Sequence, residues 1–287
     1  MESKEFWIGP QETDDKISTS FRGLLSQIQT WSIAFAYDCH VEPDQISQQV
    51  LDDFSRVAPG YRSLSTILDD RKMRRSLVRG WLEKSLRESF AVTETRLFHT
   101  NRECISYREL NDWRAFTATL LSKAETNLNI QADSQAYIKQ KAQNILDPIR
   151  DWATRQSSPR LEEDLRNILA EALKLSQILR CQRASWSIKP FPTPQHLSGS
   201  LVYIPFDPRT MKDVDQDEYN EDMEDVEEDE NIDGIEVYPR CVSLIISLAL
   251  FKRGNTDGEH FDEESCIVPW EVKFFTPEGL QAIIKAV

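Results

Sequence analysis

The sequence is poor in the residues around which most catalytic motifs are built. It has only nine glycines and four histidines in 287 residues, and it contains no Walker A sequence, no Gly-x-Gly-x-x-Gly, no His-Glu-x-x-His and no Gly-x-Ser-x-Gly. These motifs mark nucleotide-binding folds, zinc proteases and α/β-hydrolases, so the sequence gives no support to those classes of enzyme. We predict no catalytic residue, no metal site and no cofactor.

Cysteine spacings typical of disulfides or metal sites are also missing. The five cysteines are odd in number, and none lies in a Cys-x-x-Cys pair, which favours reduced thiols. Cys39 beside His40 is the best candidate for a nucleophile. Adjacent residues of a helix do not face each other, so we favour a packing cysteine at this position. Cys241 and Cys266 are expected on neighbouring strands.

Long apolar runs and a secretory leader are absent. A membrane-spanning helix needs about 18 or more apolar residues, whereas the longest apolar stretch, 242–251, is interrupted by Ser243 and Ser247. The first residues, Met1-Glu-Ser-Lys-Glu-Phe6, are charged and lack the apolar core of a signal peptide. We therefore expect an intracellular protein, cytoplasmic or nuclear, without a membrane partner.

The strongest feature that the chain does have is an acidic stretch from Asp213 to Glu236. It holds 14 of the 48 Asp and Glu residues and contains no Lys or Arg. The rest of the chain therefore has 34 acidic and 34 basic residues, and the stretch accounts for the whole net charge of −14. Because like charges repel and few apolar residues interrupt them, we predict a disordered insertion at 213–236.

We predict that this acidic stretch binds the partner of the protein. Many carboxylates on a flexible tether attract Lys and Arg side chains at long range, which favours a basic protein as the partner. The net negative charge disfavours direct binding to nucleic acid. A solvated insertion without a function is the alternative. The predicted partner-binding residues are Asp213, Asp215, Asp217, Glu218, Glu221, Asp222, Glu224, Asp225, Glu227, Glu228, Asp229 and Glu230.

Calcium binding is another interpretation of the same stretch. Acidic residues from Asp213 onward occupy positions 1, 3, 5, 9 and 12 of an EF-hand loop, but position 6, which should be Gly, is Glu218. A second register, from Asp229, ends on Arg240, which cannot bind calcium. Flanking helices are not predicted, so low-affinity binding of divalent cations is favoured over a specific site.

Basic residues cluster at the start of a predicted helix that follows Asp69 and Asp70. A solvated helix face is the simplest interpretation of this basic face. The alternatives are a nuclear import signal and a docking surface for an anionic partner, for which the acidic stretch of the same chain is one candidate. The basic face consists of Arg71, Lys72, Arg74 and Arg75, and Arg79 extends it by one turn.

Apolar residues recur every three or four positions through the first 185 residues, which predicts about six helices. The first begins at Asp14, the last begins near Pro159, and Pro148 is expected to kink or restart the one before it. We assign the tryptophans on these apolar stripes to the core. These are Trp31, Trp81, Trp113 and Trp152.

The sequence changes character after Trp186, where prolines interrupt helical periodicity. A short strand is predicted at 201–206, a hairpin from 240–251 and 266–275 around an Asn-Thr-Asp-Gly turn, and a closing helix at 280–287. Pro269 suggests an edge strand. We therefore predict a mainly α fold, in which a helical bundle or array of about six helices (1–185) precedes a small β-hairpin-containing tail (186–287).

Several motifs in the chain resemble those of known proteins. They are Phe21-Arg-Gly-Leu-Leu-Ser-Gln-Ile-Gln-Thr-Trp31-Ser32, Arg74-Arg-Ser-Leu-Val-Arg-Gly-Trp81, Trp113-Arg114 and Leu248-Ala-Leu-Phe-Lys-Arg-Gly-Asn-Thr-Asp-Gly258-Glu. In this order they resemble a group of uncharacterised helical proteins predicted in filamentous fungi. The resemblance implies an intracellular fungal protein with a helical body and a small β tail, and it implies no activity.

Our leading hypothesis is a non-enzymatic interaction or regulatory protein that engages a basic partner through the acidic stretch. Two alternatives stay open. One is an enzyme whose site is assembled from distant residues of the helical body, which a pocket lined by carboxylates, histidine or Cys39 would favour. The other is a low-affinity binder of divalent cations. The sequence leaves the oligomeric state open.

Overall fold

The computed structural model shows seven α-helices followed by two β-sheets in the part of the chain that it describes. The described residues are 8–38, 46–59, 64–90, 106–124, 130–152, 158–189, 191–192, 195–196, 202–215 and 241–275. The helices are α1 (Asp14–Asp38), α2 (Gln48–Val57), α3 (Leu64–Asp69), α4 (Arg71–Phe90), α5 (Tyr107–Ala124), α6 (Ile130–Leu146) and α7 (Ser158–Arg180), and a 3₁₀ helix (Asp147–Trp152) separates α6 from α7. None of these helices combines the length and apolar character that crossing a bilayer requires.

Polar caps explain where several helices begin. The Asp70 carboxylate accepts a hydrogen bond from the Met73 N–H (2.9 Å) at the start of α4. Ser106 and Glu109 form a reciprocal capping box at the start of α5, in which each side chain accepts from the backbone N–H of the other. The predicted start of α1 at Asp14 is confirmed.

Eight described strands form the two sheets. They are β1 (Ser185–Lys189), β2 (Gln195–His196), β3 (Val202–Pro205), β4 (Met211–Asp213), β5 (Cys241–Ile245), β6 (Ala249–Arg253), β7 (Glu264–Val268) and β8 (Trp270–Phe274). The strand order is β1-β6-β7 in one sheet and β2-β3-β5-β8-β4 in the other. Neighbouring strands are antiparallel, except that β4 and β8 run parallel.

The predicted fold class is therefore wrong. A mainly α protein with a small hairpin-containing tail would place one hairpin after the helices, whereas the C-terminal region forms two sheets. The chain is an α+β structure. The order of helices followed by strands does agree with the prediction, and the predicted closing helix at 280–287 lies outside the described residues.

Both segments of the predicted hairpin divide between the two sheets. The first contributes β5 and β6, and the second contributes β7 and β8. Pro269 separates β7 from β8, where its missing N–H leaves no ladder hydrogen bond unmade. The edge-strand prediction holds for β7, which ends just before Pro269 and lies at the edge of its sheet, but not for β8, which lies between β5 and β4. The neighbouring-strand prediction is wrong, because Cys241 and Cys266 lie in different sheets.

One hydrophobic core joins the helices to the sheets. It includes Phe21 of α1, Leu165 of α7, Leu244 of β5 and Leu250 of β6, all of which are buried. The core thus contains residues from both sides of position 185. Because burial of apolar surface is the main stabilising contribution to folding, the helices and the sheets stabilise each other.

Helix α5 buries small and polar side chains and exposes apolar ones. Trp31, Trp81 and Trp152 are buried as predicted, but 53% of Trp113 is exposed, so its assignment to the core is wrong. The buried face contains Asn111 and Thr119, whose polar groups donate to carbonyls one turn earlier in α5. These internal hydrogen bonds satisfy the polar groups that are buried. Tyr107, Leu120 and Leu121 are exposed together with Trp113.

Candidate functional site

The acidic stretch begins and ends on either side of one strand. Asp213, the last residue of β4, is aligned with Val272 of β8, and Val242 of β5 is aligned with Phe274 of the same strand. Because adjacent strands are about 4.8 Å apart, the two attachment points lie about 10 Å from each other. The segment between them therefore starts and returns at the C-terminal end of β8.

The first two predicted partner-binding residues have structural roles. Asp213 is buried in β4 and accepts a hydrogen bond from the Asp215 N–H (2.9 Å). The Asp215 carboxylate pairs with Lys273 of β8 at 2.8 Å. An EF-hand register that begins at Asp213 is incompatible with this strand end. The other ten predicted residues, Asp217, Glu218, Glu221, Asp222, Glu224, Asp225, Glu227, Glu228, Asp229 and Glu230, lie outside the described residues.

The predicted basic face divides into a structural residue and an exposed cluster. Arg74 donates to the Leu68 carbonyl oxygen at 2.7 Å and thereby fixes α3 to the start of α4. Arg71 lies over the ring of Tyr37 at 4.0 Å from its centroid, which places a cation on an exposed aromatic side chain. Lys72 and Arg75 are exposed, and neither has an ion pair with a described residue.

An open groove of about 760 Å³ runs between α1 and α7. Its apolar residues are Trp31 and Ala34 of α1 with Leu161 and Ile168 of α7. The Trp31 indole N–H donates to the Leu161 carbonyl oxygen at 2.9 Å and so ties the two helices together at the groove. Its polar lining residues are Ser26, Gln27, Thr30, Arg160, Asp164 and Asn167.

A buried ionic network connects α4 to the junction between the two sheets. The two oxygens of Glu83 accept hydrogen bonds from the Arg79 guanidinium (3.0 Å) and the Leu248 N–H (2.6 Å). Arg79 also pairs with Glu271 of β8 at 2.8 Å. Burial raises the pKa of Glu83 to about 8, although Arg79 and the Leu248 N–H pull it down.

This network holds the fold together and gives no sign of catalysis. Both Glu83 oxygens are occupied by hydrogen-bond donors, and the side chain is fully buried, so a substrate has no access to it. The spacing of Arg79 and Glu83 predicts an ion pair on a helix. The spacing does not predict that the pair is buried. The assignment of Arg79 to the exposed basic face is therefore wrong.

The enzyme alternative gains no support from the described residues. The groove contains one acidic side chain, Asp164, and no histidine or cysteine among its described lining residues. Cys39 and His40 lie outside the described residues. In the described ranges, no group of three His, Cys, Asp or Glu residues is arranged to hold a metal ion.

The turn between β6 and β7, which carries several acidic residues, is held by Asn255 and two glycines. The Asn255 side-chain oxygen accepts from the N–H groups of Asp257 and Glu259, and Gly254 and Gly258 adopt positive φ angles (78° and 75°). In β7, burial opposes ionisation of Glu264, but hydrogen bonds and charges from Lys189 and Arg253 prevail and lower its pKa. These groups stabilise the β-ladder.

No protein-family model, curated protein or solved structure matches this chain. The resemblance to fungal helical proteins therefore stays a prediction. Three features of the molecule bear on its function: the acidic stretch at the end of β8, the exposed basic cluster at the start of α4, and the groove between α1 and α7.

Proposed function

We propose that the protein is a non-enzymatic intracellular interaction protein that binds a basic partner through residues 217–236, which we call the acidic segment. The observation that carries the proposal is the position of the negative charge. The acidic segment contains 12 Asp and Glu residues and no Lys or Arg, and it is inserted between the two strands that flank β8.

The sheet fixes the position at which the chain enters the acidic segment. Asp213 is buried, and the ion pair between Asp215 and Lys273 fixes the chain where it leaves β4. Both ends are attached about 10 Å apart, so the twelve acidic residues are tethered to one end of the sheet. A high local density of one charge accelerates encounter with oppositely charged partners.

The chemistry of the segment favours a partner rich in Lys and Arg. Binding to such a partner is mainly electrostatic, so its affinity is expected to fall as salt screens the charges. Lysine and arginine side chains present several N–H donors to carboxylate oxygens, which adds short hydrogen bonds to the long-range attraction.

A labelled lysine-rich peptide tests this proposal in fluorescence anisotropy titrations from about 50 to about 500 mM NaCl. The test variant replaces every Asp and Glu of 217–230 with Asn or Gln in the full chain. A control variant makes the same change at Asp257, Glu259, Asp262 and Glu263 of the ordered turn. We expect the test variant to lose at least about tenfold in affinity and most of the salt dependence. Equal affinities in the two variants would refute the proposal.

A further inference from the structure

Helix α5 exposes a set of large apolar side chains. Tyr107, Trp113, Leu120 and Leu121 are 47 to 57% exposed, and they make up four of the six exposed large apolar side chains in the described ranges. Single exposed apolar residues are normal in proteins, whereas several on one helix of 18 residues mark an interaction surface. The exposed face of α5 is therefore a candidate for contact with another molecule.

The apolar face of α5 has the spacing of a coiled-coil seam. Its members alternate at intervals of three and four residues, which is the spacing of a and d positions in a heptad repeat. We call these residues the α5 seam, and they are Leu110, Trp113, Thr117, Leu120 and Ala124, all at least partly accessible. The residues that α5 buries within the chain, Asn111, Ala115 and Thr119, lie on the opposite side of the helix.

Polar contacts on the inner side of α5 keep the seam facing outward. Arg114 donates to the carbonyl oxygens of Gln182 (2.8 Å) and Ala184 (2.9 Å). Asp112 forms an ion pair with Arg183 at 3.2 Å. Because these groups join α5 to the chain between α7 and β1, rotation of the helix to bury its seam would break them. Burial of the seam therefore requires a partner that comes to α5.

The α5 seam is complementary to itself when two helices run antiparallel. In that orientation Trp113 of one copy can face Thr117 of the other, so that a bulky ring meets a small side chain. The same register places Leu110 of each copy opposite Leu120 of the other. Each contact occurs twice, because such a pair has twofold symmetry. The large and small residues of the seam thus match those of a second seam.

The charges at the ends of α5 favour the same antiparallel arrangement. Glu109 lies in the first turn and Lys123 in the last turn, and both are exposed. In this register Glu109 of each copy lies beside Lys123 of the other, whereas parallel helices would place like charges together. On the other flank, exposed Tyr107 lies beside exposed Leu121. Charge complementarity therefore favours a second copy of this chain as the partner.

We infer that the protein forms a homodimer in which the α5 helices of two copies pack antiparallel through the α5 seam. A helix of 18 residues is about 27 Å long. One such pair of helices buries less surface than the roughly 1,200 to 2,000 Å² of a typical stable complex. The dimer is accordingly weak, with a dissociation constant in the micromolar range. It uses no residue of the acidic segment, so it does not depend on the proposed function.

Sedimentation velocity of the full chain from about 0.5 to about 200 µM covers the range in which such a dimer forms. We expect the average mass to rise from that of one chain toward that of two. Trp113→Ser/Leu120→Ser removes apolar side chains from the seam and should weaken association at least about tenfold. The control Ile33→Ser/Tyr37→Ser removes two exposed apolar side chains from α1 and should associate like the unmodified chain.

Charge reversal tests the antiparallel register. Glu109→Lys and Lys123→Glu each place like charges opposite one another in the homodimer, so each variant alone should associate about threefold more weakly. An equimolar mixture of the two variants forms opposite-charge pairs at both ends and should recover most of the affinity. Glu163→Lys reverses an exposed charge on α7 and should leave association unchanged.

Three results would overturn the inference. The first is a monomer throughout the concentration range, which would mean that the seam does not bind a second copy. The second is an equal loss of association in the seam variant and in the α1 control. The third is a dimer that charge reversal does not weaken, or that mixing does not recover. Circular dichroism at low concentration checks folding, and the charge variants, which keep the seam, decide the outcome if the seam variant is unfolded.

Discussion

Glu83 is a carboxyl group placed where water does not reach it. Its environment offers one cation, Arg79, and one backbone N–H, that of Leu248, and a second carboxylate, Glu271, shares the same cation. Removal from water disfavours the charged form of an acid, and here that effect exceeds the attraction of Arg79. The residue ties α4 to the sheets and makes stability depend on pH.

We predict that the protein becomes less stable as pH rises from about 5 to about 8. The pKa of Glu83 is about 8 in the folded protein and near 4.5 when exposed, so the folded state binds the proton more tightly. This contribution is complete below pH 4.5 and is lost as pH rises through 8. The slope is at most about 1.4 kcal/mol per pH unit. Urea unfolding at several pH values measures it.

Glu83→Gln tests the assignment, because glutamine keeps the shape and does not titrate. Its unfolding free energy should vary less with pH than that of the unmodified protein. Glu163→Gln, an exposed site on α7, is the control and should retain the slope. A slope that survives in Glu83→Gln would show that another group is responsible for it.

Trp113 shows why a residue on an apolar stripe need not be buried. The periodicity of α5 identifies a helix, but its small and polar residues recur with the same period as its apolar residues. In the structure the apolar face is the exposed one. Burial of the other face costs little because the side chains of Asn111 and Thr119 form hydrogen bonds within the helix. Sequence alone does not reveal that choice.

Two tryptophan substitutions should differ strongly in how much they lower the free energy of unfolding. Trp152→Ala removes a buried ring in contact with Phe54 and is expected to destabilise the protein by about 3 to 5 kcal/mol. Trp113→Ala removes a half-exposed ring and should cost less than about 1 kcal/mol. Chemical unfolding compares them. Similar losses would mean that Trp113 is buried in solution.

At the scale of elements, the close approach of Gly80 to β5 fixes the position of α4 on the sheet. An added Cβ at Gly80 would lie 2.5 Å from the Ile245 carbonyl oxygen and 2.6 Å from a Val57 methyl carbon. Only a residue without a side chain permits α4 to approach β5 this closely. The same approach brings Glu83 to the Leu248 N–H.

Gly80→Ala should therefore destabilise the protein by about 1 to 3 kcal/mol, although alanine favours a helix. Gly23→Ala in α1 is the matched control, since no atom lies within 4 Å of the added Cβ. That change should stabilise by about 0.5 to 1 kcal/mol. Urea unfolding of both variants measures the difference. A stabilised Gly80→Ala protein would contradict the close packing of α4 on β5.

Helices were easier to predict from this sequence than strands, for a physical reason. The starts of α1 and α4 depend on local caps and a repeating apolar period, and both were predicted close to their observed positions. The division of the hairpin segments depends on contacts with distant strands and on Pro269, and β4 has only three residues. Such short strands have no reliable local signal.

At the scale of the whole molecule, the helices and the sheets share the larger of two hydrophobic clusters, and the smaller cluster consists of strand residues. We predict that the helices and the sheets unfold together, because removal of either would expose apolar surface of the other. Replacement of Trp186 and Trp270 by Phe leaves, among the described residues, only the tryptophans of the helical region, and replacement of Trp31, Trp81, Trp113 and Trp152 by Phe leaves only those of the strands. The urea midpoints of the two variants, each followed by fluorescence and circular dichroism, should coincide. Separate transitions would indicate two independently stable regions.

The candidate site was predictable from the sequence only in its charges. The acidic stretch and the exposed cations Arg71, Lys72 and Arg75 were identified from composition and spacing. The structural roles of Asp213 and Arg74 were not, because they depend on a strand partner and on a preceding helix. The groove is formed by helices more than a hundred residues apart in the chain, so no local pattern reports it.

The attachment of the acidic segment to both neighbours of β8 also has a mechanical consequence. A partner that pulls on the segment loads β4 and β5 at the same time, one parallel and one antiparallel to β8. The tension acts across three adjacent strands, with the Asp215–Lys273 ion pair at one of the two points where force enters the sheet. The hydrogen bonds of β8 to both neighbouring strands then resist the force together. Strand β4, which has three paired residues, is expected to separate from β8 first.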